Sequence, residues 1–253
     1  LYAVPYLFSI EDPLLDSLAF TAVLHLGTLA AVLVAMRHEV ARLAGVTARF
    51  IYTLGRARGA ASDERLIVAI ILGTVPAALA GALASDLIDG ALRSPLVVAV
   101  AVLAGAVLLG VAERFGRRER PLEGIALFDG IFTGLAQALA LIPGISRSGA
   151  TISAGLLLGF NRASAARFSF LLGIPAIAGG GLLELRKLAE AGGVSDGSMP
   201  LLIVGIATSF FAGLLAIALL LRLLSGGSTR LFVFYRIAFA AILIGTALSR
   251  GGV

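Results

Sequence analysis

Apolar residues run along this chain in long stretches, at 14–36, 66–85, 95–112, 165–185, 200–224 and 231–248. Each is long enough for a helix to cross about 30 Å of hydrocarbon. Helix is the form this pattern predicts throughout, because lipid offers no partner to an open backbone N–H or C=O. A seventh apolar region, 124–160, differs. It is long enough for one span, yet Pro143 and Gly144 interrupt it and Ser146, Arg147, Ser148, Gly149 and Thr151 follow. Two short helices meeting at a turn fit this pattern better than one continuous span. The prediction is a re-entrant hairpin, a form that survives at membrane depth only where protein or water surrounds the broken backbone.

The basic residues test that layout. With 124–160 entering and leaving on one side, one face collects Arg37, Arg42, Arg49, Arg56, Arg58, Arg65, Arg114, Arg117, Arg118, Arg120, Arg162, Arg167, Arg222 and Arg230. The other face holds Arg93, Arg186, Lys187 and Arg250. Loops rich in arginine stay in the cytoplasm, so the first face is expected there. A full crossing by 124–160 would move the later loops to the other side and weaken the asymmetry. The arginines of 37–65 read as a solvated cytoplasmic face near anionic lipid.

Composition sharpens the class. Of 253 residues 59% are hydrophobic and 14% charged, and the mean hydropathy is +1.02. Polar surface could not cover so apolar a chain in water, so 1–253 is expected to form a single integral membrane domain. Cysteine is absent, which excludes disulfides and thiolate metal sites. The net charge of +5 is read as a topology signal, with no nucleic-acid partner expected. The first residues, LYAVPYLFSIEDP, lack the basic start of a signal peptide. With no initiator Met, the chain is expected to be a processed or truncated product whose biological start is not Leu1.

A faint internal repeat runs through the apolar pattern. FTAVLHLGTLAA at Phe20 resembles FSFLLGIPAIAG at Phe168, and LIVAIILGTVPAALAGAL at Leu66 lines up with LIVGIATSFFAGLLAIAL at Leu202. The copies lie an odd number of spans apart, so the second would be inverted. The predicted fold is all-α and polytopic: six transmembrane helices plus a re-entrant helical hairpin, with repeats at 1–112 and 124–249. Such repeats place a site where broken helices meet near the midplane.

The turn of the hairpin carries the chemistry. Gly144 and Gly149 permit backbone conformations and close approaches closed to other residues. N–H groups opening the second short helix favour an anion. Arg147 adds a fixed charge and a planar fork suited to phosphate oxygens, while Ser146, Ser148 and Thr151 supply hydroxyls, one of them a nucleophile if a base lies near. Close helix packing would explain the glycines and some hydroxyls. It does not explain Arg147, since arginine at a helix centre in a bilayer costs at least about 2.5–3.5 kcal/mol. The turn reads as a site for a phosphate or diphosphate group. Gln137, upstream of Pro143, either lines that site or bonds a neighbouring helix. His25 on an apolar span reads as a hydrogen-bonded packing residue.

PGISRSGAT, 143–151, matches the PGxSRSxxT motif of the bacterial undecaprenyl-diphosphatase family, the bacitracin-resistance proteins. The resemblance extends through FSFLLGIPA at Phe168 and YRIAFA at Tyr235, covering nearly the whole chain. It implies a multi-pass enzyme of the bacterial plasma membrane with six spans and two re-entrant hairpins. It also implies removal of the terminal phosphate of undecaprenyl diphosphate at a site opening toward the outer face, generally with a divalent cation, Mg or Ca. That reaction recycles the lipid carrier of cell-wall synthesis. Gly144, Ser146, Arg147, Ser148 and Thr151 carry over as active-site positions, and Arg236, in the Tyr-Arg pair shared with the resemblance, as a substrate-binding or site-supporting residue. One family motif has no match: two glutamates four residues apart, then Pro-x-Ser-Ser and Gly-His. LYAVPYLF resembles the segment immediately after that histidine, so the first hairpin and its metal-binding or nucleophilic residues are expected upstream of residue 1. Glu11, Asp12 and His25 do not match their positions. Half a site carries over, and the activity of this polypeptide by itself stays open. The rival readings are a polyprenyl-phosphate transporter or flippase, built on the same inverted repeats, and a non-catalytic lipid-diphosphate binder. Oligomeric state is not legible.

Overall fold

A computed structural model of the chain describes residues 3–9, 18–53, 61–83, 94–190 and 199–250. Leu1, Glu11, Asp12, Arg56, Arg58 and Arg93 lie outside the described residues, as do the predicted span ends 14–17 and 84–85. The helices are α1 (Ala3–Phe8), α2 (Leu18–Ala35), α3 (Arg37–Tyr52), α4 (Ala61–Leu83), α5 (Pro95–Phe115), α6 (Leu127–Leu139), α7 (Arg147–Leu157), α8 (Arg162–Glu190), α9 (Met199–Gly226) and α10 (Arg230–Ser249). Among the described residues, the only strand-like feature is an isolated bridge between Arg120 and Phe160.

α4, α5, α8, α9 and α10 are each long and apolar enough to cross a membrane. Counting α2 with α3, which bends from it by 85°, raises five candidates to six. The outward surfaces match that reading: Val100, Val107, Leu201, Phe211, Leu215, Leu231, Phe234 and Ile242 are all exposed, more apolar surface than water tolerates in one molecule. Local chemistry sets the ends. Pro95 opens α5, where its missing N–H is not needed, and the Ser94 hydroxyl accepts the Val97 N–H at 3.3 Å.

Part of the arginine-rich connection 37–65, expected as a loop between spans, is helical. Arg37–Tyr52 is helical, with Leu43 buried and Arg37, Arg42 and Arg49 exposed. A helix with one thin apolar stripe has too little mean hydropathy to stand out beside the spans.

Ion pairs gather the arginine-rich segments at one end of the bundle. Arg42 pairs with Asp63, Arg167 with Glu39 at 3.9 Å and Arg162 with Glu113, while the Thr229 hydroxyl donates to Glu113 at 3.1 Å. Both ends of the 124–160 region return to this same end, and Arg120 holds them there. Its guanidinium donates to Asp129 at 2.7 Å and to the Leu158 carbonyl at 2.7 Å. Its cation lies 4.7 Å from the centre of the Phe160 ring. The Asn161 N–H donates to the Arg120 carbonyl at 2.9 Å. From that anchor, α6 leaves and α7 comes back. At 1.5 Å per residue α7 is about 16 Å long, so the connection 140–146 sits about half a hydrocarbon thickness from the arginine-rich end. Glycines at 73, 130 and 134 let the α4 and α6 backbones touch, which fixes the outgoing arm.

Candidate active site

The connection is built by two residues with different tasks. Gly144 adopts φ +101°, and a Cβ there would collide with the Val98 carbonyl oxygen and lie 2.9 Å from Ala101 Cβ on α5. Only glycine meets both conditions. Two residues on, Ser146 turns the chain into α7: its backbone is extended, and its hydroxyl accepts the Gly149 N–H at 3.2 Å. This is an N-cap, which satisfies one of the four N–H groups a helix start leaves open. Gly144→Ala should therefore lower stability by about 1–2 kcal/mol from the left-handed backbone alone, read as a drop in the unfolding temperature of the purified protein. An unchanged temperature would mean that the turn adapts.

Ser146 and Ser148 stand side by side, Oγ to Oγ 3.3 Å. Together with Gly149, Tyr235 and Arg236 they line the polar part of a cleft of about 250 Å³, whose other walls include Leu109, Ile152, Leu220 and Phe232. Arg236 reaches it from α10. Its Nε and Nη2 donate to the Val102 carbonyl at 3.3 and 3.2 Å, and Nη2 also donates to the Gly144 carbonyl at 3.0 Å. The guanidinium lies over Gly105, where any side chain would displace it. Arg236 thus ties α10 and α5 to the turn.

Arg147 takes the other side of α7. Its guanidinium packs against Gly173 of α8, with one long bond of 3.4 Å to the Gly173 carbonyl. Among the described residues no carboxylate pairs with it. Arg147 and Arg236 therefore flank the start of α7 rather than converge in one cleft. Thr151 is fully buried. Its hydroxyl meets the Arg147 carbonyl at 2.8 Å and Ser169 Oγ at 2.6 Å, so it faces α8 and not the cleft. Gln137 is buried on α6, and among the described residues neither its amide nitrogen nor its amide oxygen has a partner; it does not line the cleft. The His25 Nδ1–H donates to the Thr21 carbonyl at 2.8 Å; its ring lies beside Gly180 and its Cβ beside Gly181.

Residues 1–242 match the family described as bacitracin resistance protein BacA. The chain belongs to the BacA family. Its relatives include proteins named undecaprenyl-diphosphatase. That of Thermomicrobium roseum is 43% identical over 96% of this chain and 88% of its own length. That of Gloeobacter violaceus is 44% identical over 97% and 83%, and that of Rubrobacter xylanophilus 44% over 89% and 82%.

For this BacA-family chain the donor set at the turn is hydroxyl, amide N–H and guanidinium, which suits an anion. Among the described residues no group of three or more His, Asp or Glu gathers. Those residues by themselves do not compose the oxygen cage that a divalent cation requires. Two polar residues that tie these helices together give no sign of it in the sequence. Ser169 lies inside FSFLLGIPA but gives no local sign that it meets Thr151. Glu113 ends an apolar run among arginines and looks like an ordinary boundary charge.

Proposed function

We propose that this protein is the phosphatase that hydrolyses undecaprenyl diphosphate to undecaprenyl phosphate and inorganic phosphate at the 140–151 turn. One observation carries the reading: the PGISRSGAT turn puts two serine hydroxyls, and α10 brings the Arg236 guanidinium, to one part of a cleft whose other walls are mostly apolar. A diphosphate on a polyprenyl tail has that same division. The names of the 40–44% identical relatives support it. In this scheme the hydroxyls and the opening N–H groups of α7 hold phosphate oxygens, and Arg147 and Arg236 offset the charge that builds as the P–O bond between the two phosphates breaks. Water supplies the oxygen gained by the released phosphate, and the apolar walls hold the first part of the tail.

The finer architecture belongs to the same proposal. It comprises six spans counting α2, α6–α7 as a re-entrant hairpin, repeats of opposite orientation over 1–112 and 124–249, and the arginine-rich end in the cytoplasm of a bacterial plasma membrane. With no native cysteine, labelling tests this directly. Cysteine at position 195, outside the described residues, should react with an impermeant thiol reagent in intact cells, and cysteine in place of Ser62 should not. Reversed labelling would overturn the orientation.

The activity test uses protein expressed from the complete gene, purified and given undecaprenyl diphosphate. Release of inorganic phosphate with undecaprenyl phosphate as the lipid product is the expected result. Tight binding without release, or movement of polyprenyl phosphate across vesicle bilayers without release, would replace the phosphatase with a binder or a transporter.

A further inference from the structure

At the arginine-rich end a second cleft, of about 450 Å³, is lined by Gly110, Glu113, Arg114, Arg118, Arg230, Val233 and Phe234. Its single carboxylate is already engaged. Glu113 is buried and accepts from Arg162, which comes from outside the cleft, from Arg118 at 3.3 Å and from Thr229. Arg114 and Arg230 form no ion pair among the described residues; Arg114 only leans on the Phe115 ring. Three guanidiniums thus face one neutralised carboxylate, an excess that an anion relieves. The backbone adds an independent sign. Arg118 holds φ +62°, a left-handed conformation uncommon for a residue with a side chain, and strain of this kind collects where a side chain must be aimed. Val233 and the exposed Phe234 make the remaining wall apolar.

We infer that Arg114, Arg118 and Arg230 form a second phosphate-binding site at the arginine-rich end of the bundle, distinct from the turn at 140–151. Its ligand is a phosphate-bearing anion. The apolar wall of α10 beside the guanidiniums suits a lipid phosphomonoester, whose head group would lie on the arginines and whose chain would lie along Val233 and Phe234; inorganic phosphate shares the head-group chemistry. The inference does not depend on hydrolysis at the turn.

The test is thermal unfolding of the purified protein in neutral detergent, titrated separately with dioleoyl phosphatidic acid, dioleoyl phosphatidylcholine and inorganic phosphate. Phosphatidic acid should raise the unfolding temperature saturably, and phosphatidylcholine should not. In the Arg114→Gln/Arg230→Gln protein the half-saturating concentration should rise on the order of tenfold, two surface arginines being lost. Arg147→Lys should leave it at the parent value, which separates this site from the turn. Arg118→Gly relieves the left-handed strain while deleting a guanidinium. It should leave the unliganded unfolding temperature near the parent value, the relieved strain offsetting the lost bond to Glu113, and still weaken the response, so the test survives if the double variant folds poorly. A saturable, arginine-dependent response to inorganic phosphate would make the free anion the occupant, and a response to phosphatidic acid alone would make it the lipid. Parent-like titrations in both the double variant and Arg118→Gly, or no response to either phosphate probe, would overturn the site.

Discussion

Lysine at position 147 should lower kcat/KM for undecaprenyl diphosphate by about 10- to 150-fold, although the charge is kept. A charge-assisted hydrogen bond contributes roughly 1.5–3 kcal/mol, and such a loss confined to the transition state converts to that range of rates. The geometry makes the fork the relevant property. Arg147 holds one long bond to the Gly173 carbonyl and no carboxylate among the described residues, so most of its donors are free for phosphate oxygens. An ammonium offers a point charge in place of that planar set. Arg147→Ala should lose more activity still, and because the native residue contributes so little to packing bonds, the protein should remain folded. Steady-state phosphate release, measured beside the unfolding temperature, separates the two effects. Parent turnover in folded Arg147→Ala protein would show that the arginine only packs against α8, and the reading of the turn would fail where it is strongest.

The contrast with Arg236 explains what the sequence could and could not disclose. The spans were legible because a run of apolar residues long enough to cross hydrocarbon is its own signal. The turn was legible because Pro143-Gly144 breaks such a run and a charged residue follows. Neither signal says on which side of α7 a guanidinium lands. Arg147 and Arg236 look alike in the sequence, yet one lies against Gly173 with donors to spare, and the other is bonded to the carbonyls of Val102 and Gly144 beside the cleft. Thr151 shows the same limit: a motif position in the sequence, its hydroxyl turns to Ser169 on another helix. Contacts between helices depend on their rotation about their own axes, which the apolar pattern of an almost uniformly greasy span barely encodes. α3 failed for the opposite reason, since its arginines hid a helical period behind the appearance of a loop.

Replacing Glu113 by alanine should cost about 3 kcal/mol of stability, more than any other single change considered at this end of the bundle. Taking one partner from a buried ion pair costs about 3–5 kcal/mol, because the other charge is left without compensation. The low end applies because Arg162 keeps a quarter of its side chain exposed and can recover some hydration. Glu113 is a junction and not a simple pair. From α5 it accepts from Arg162 Nε at 3.1 and 3.2 Å on α8, from Arg118 in the following loop, and from Thr229 just ahead of α10. Thr229 is almost fully buried, so its hydroxyl would lose its acceptor where water cannot replace it. Glu113→Gln retains an acceptor oxygen without the charge and should cost about half as much. In Glu113→Ala protein a further Thr229→Val change should add little, since the bond it removes is already gone. Unfolding of the purified proteins by heat or denaturant measures all three. Parent-like stability of Glu113→Ala would mean that apolar packing alone holds α5, α8 and α10 together at the arginine-rich end.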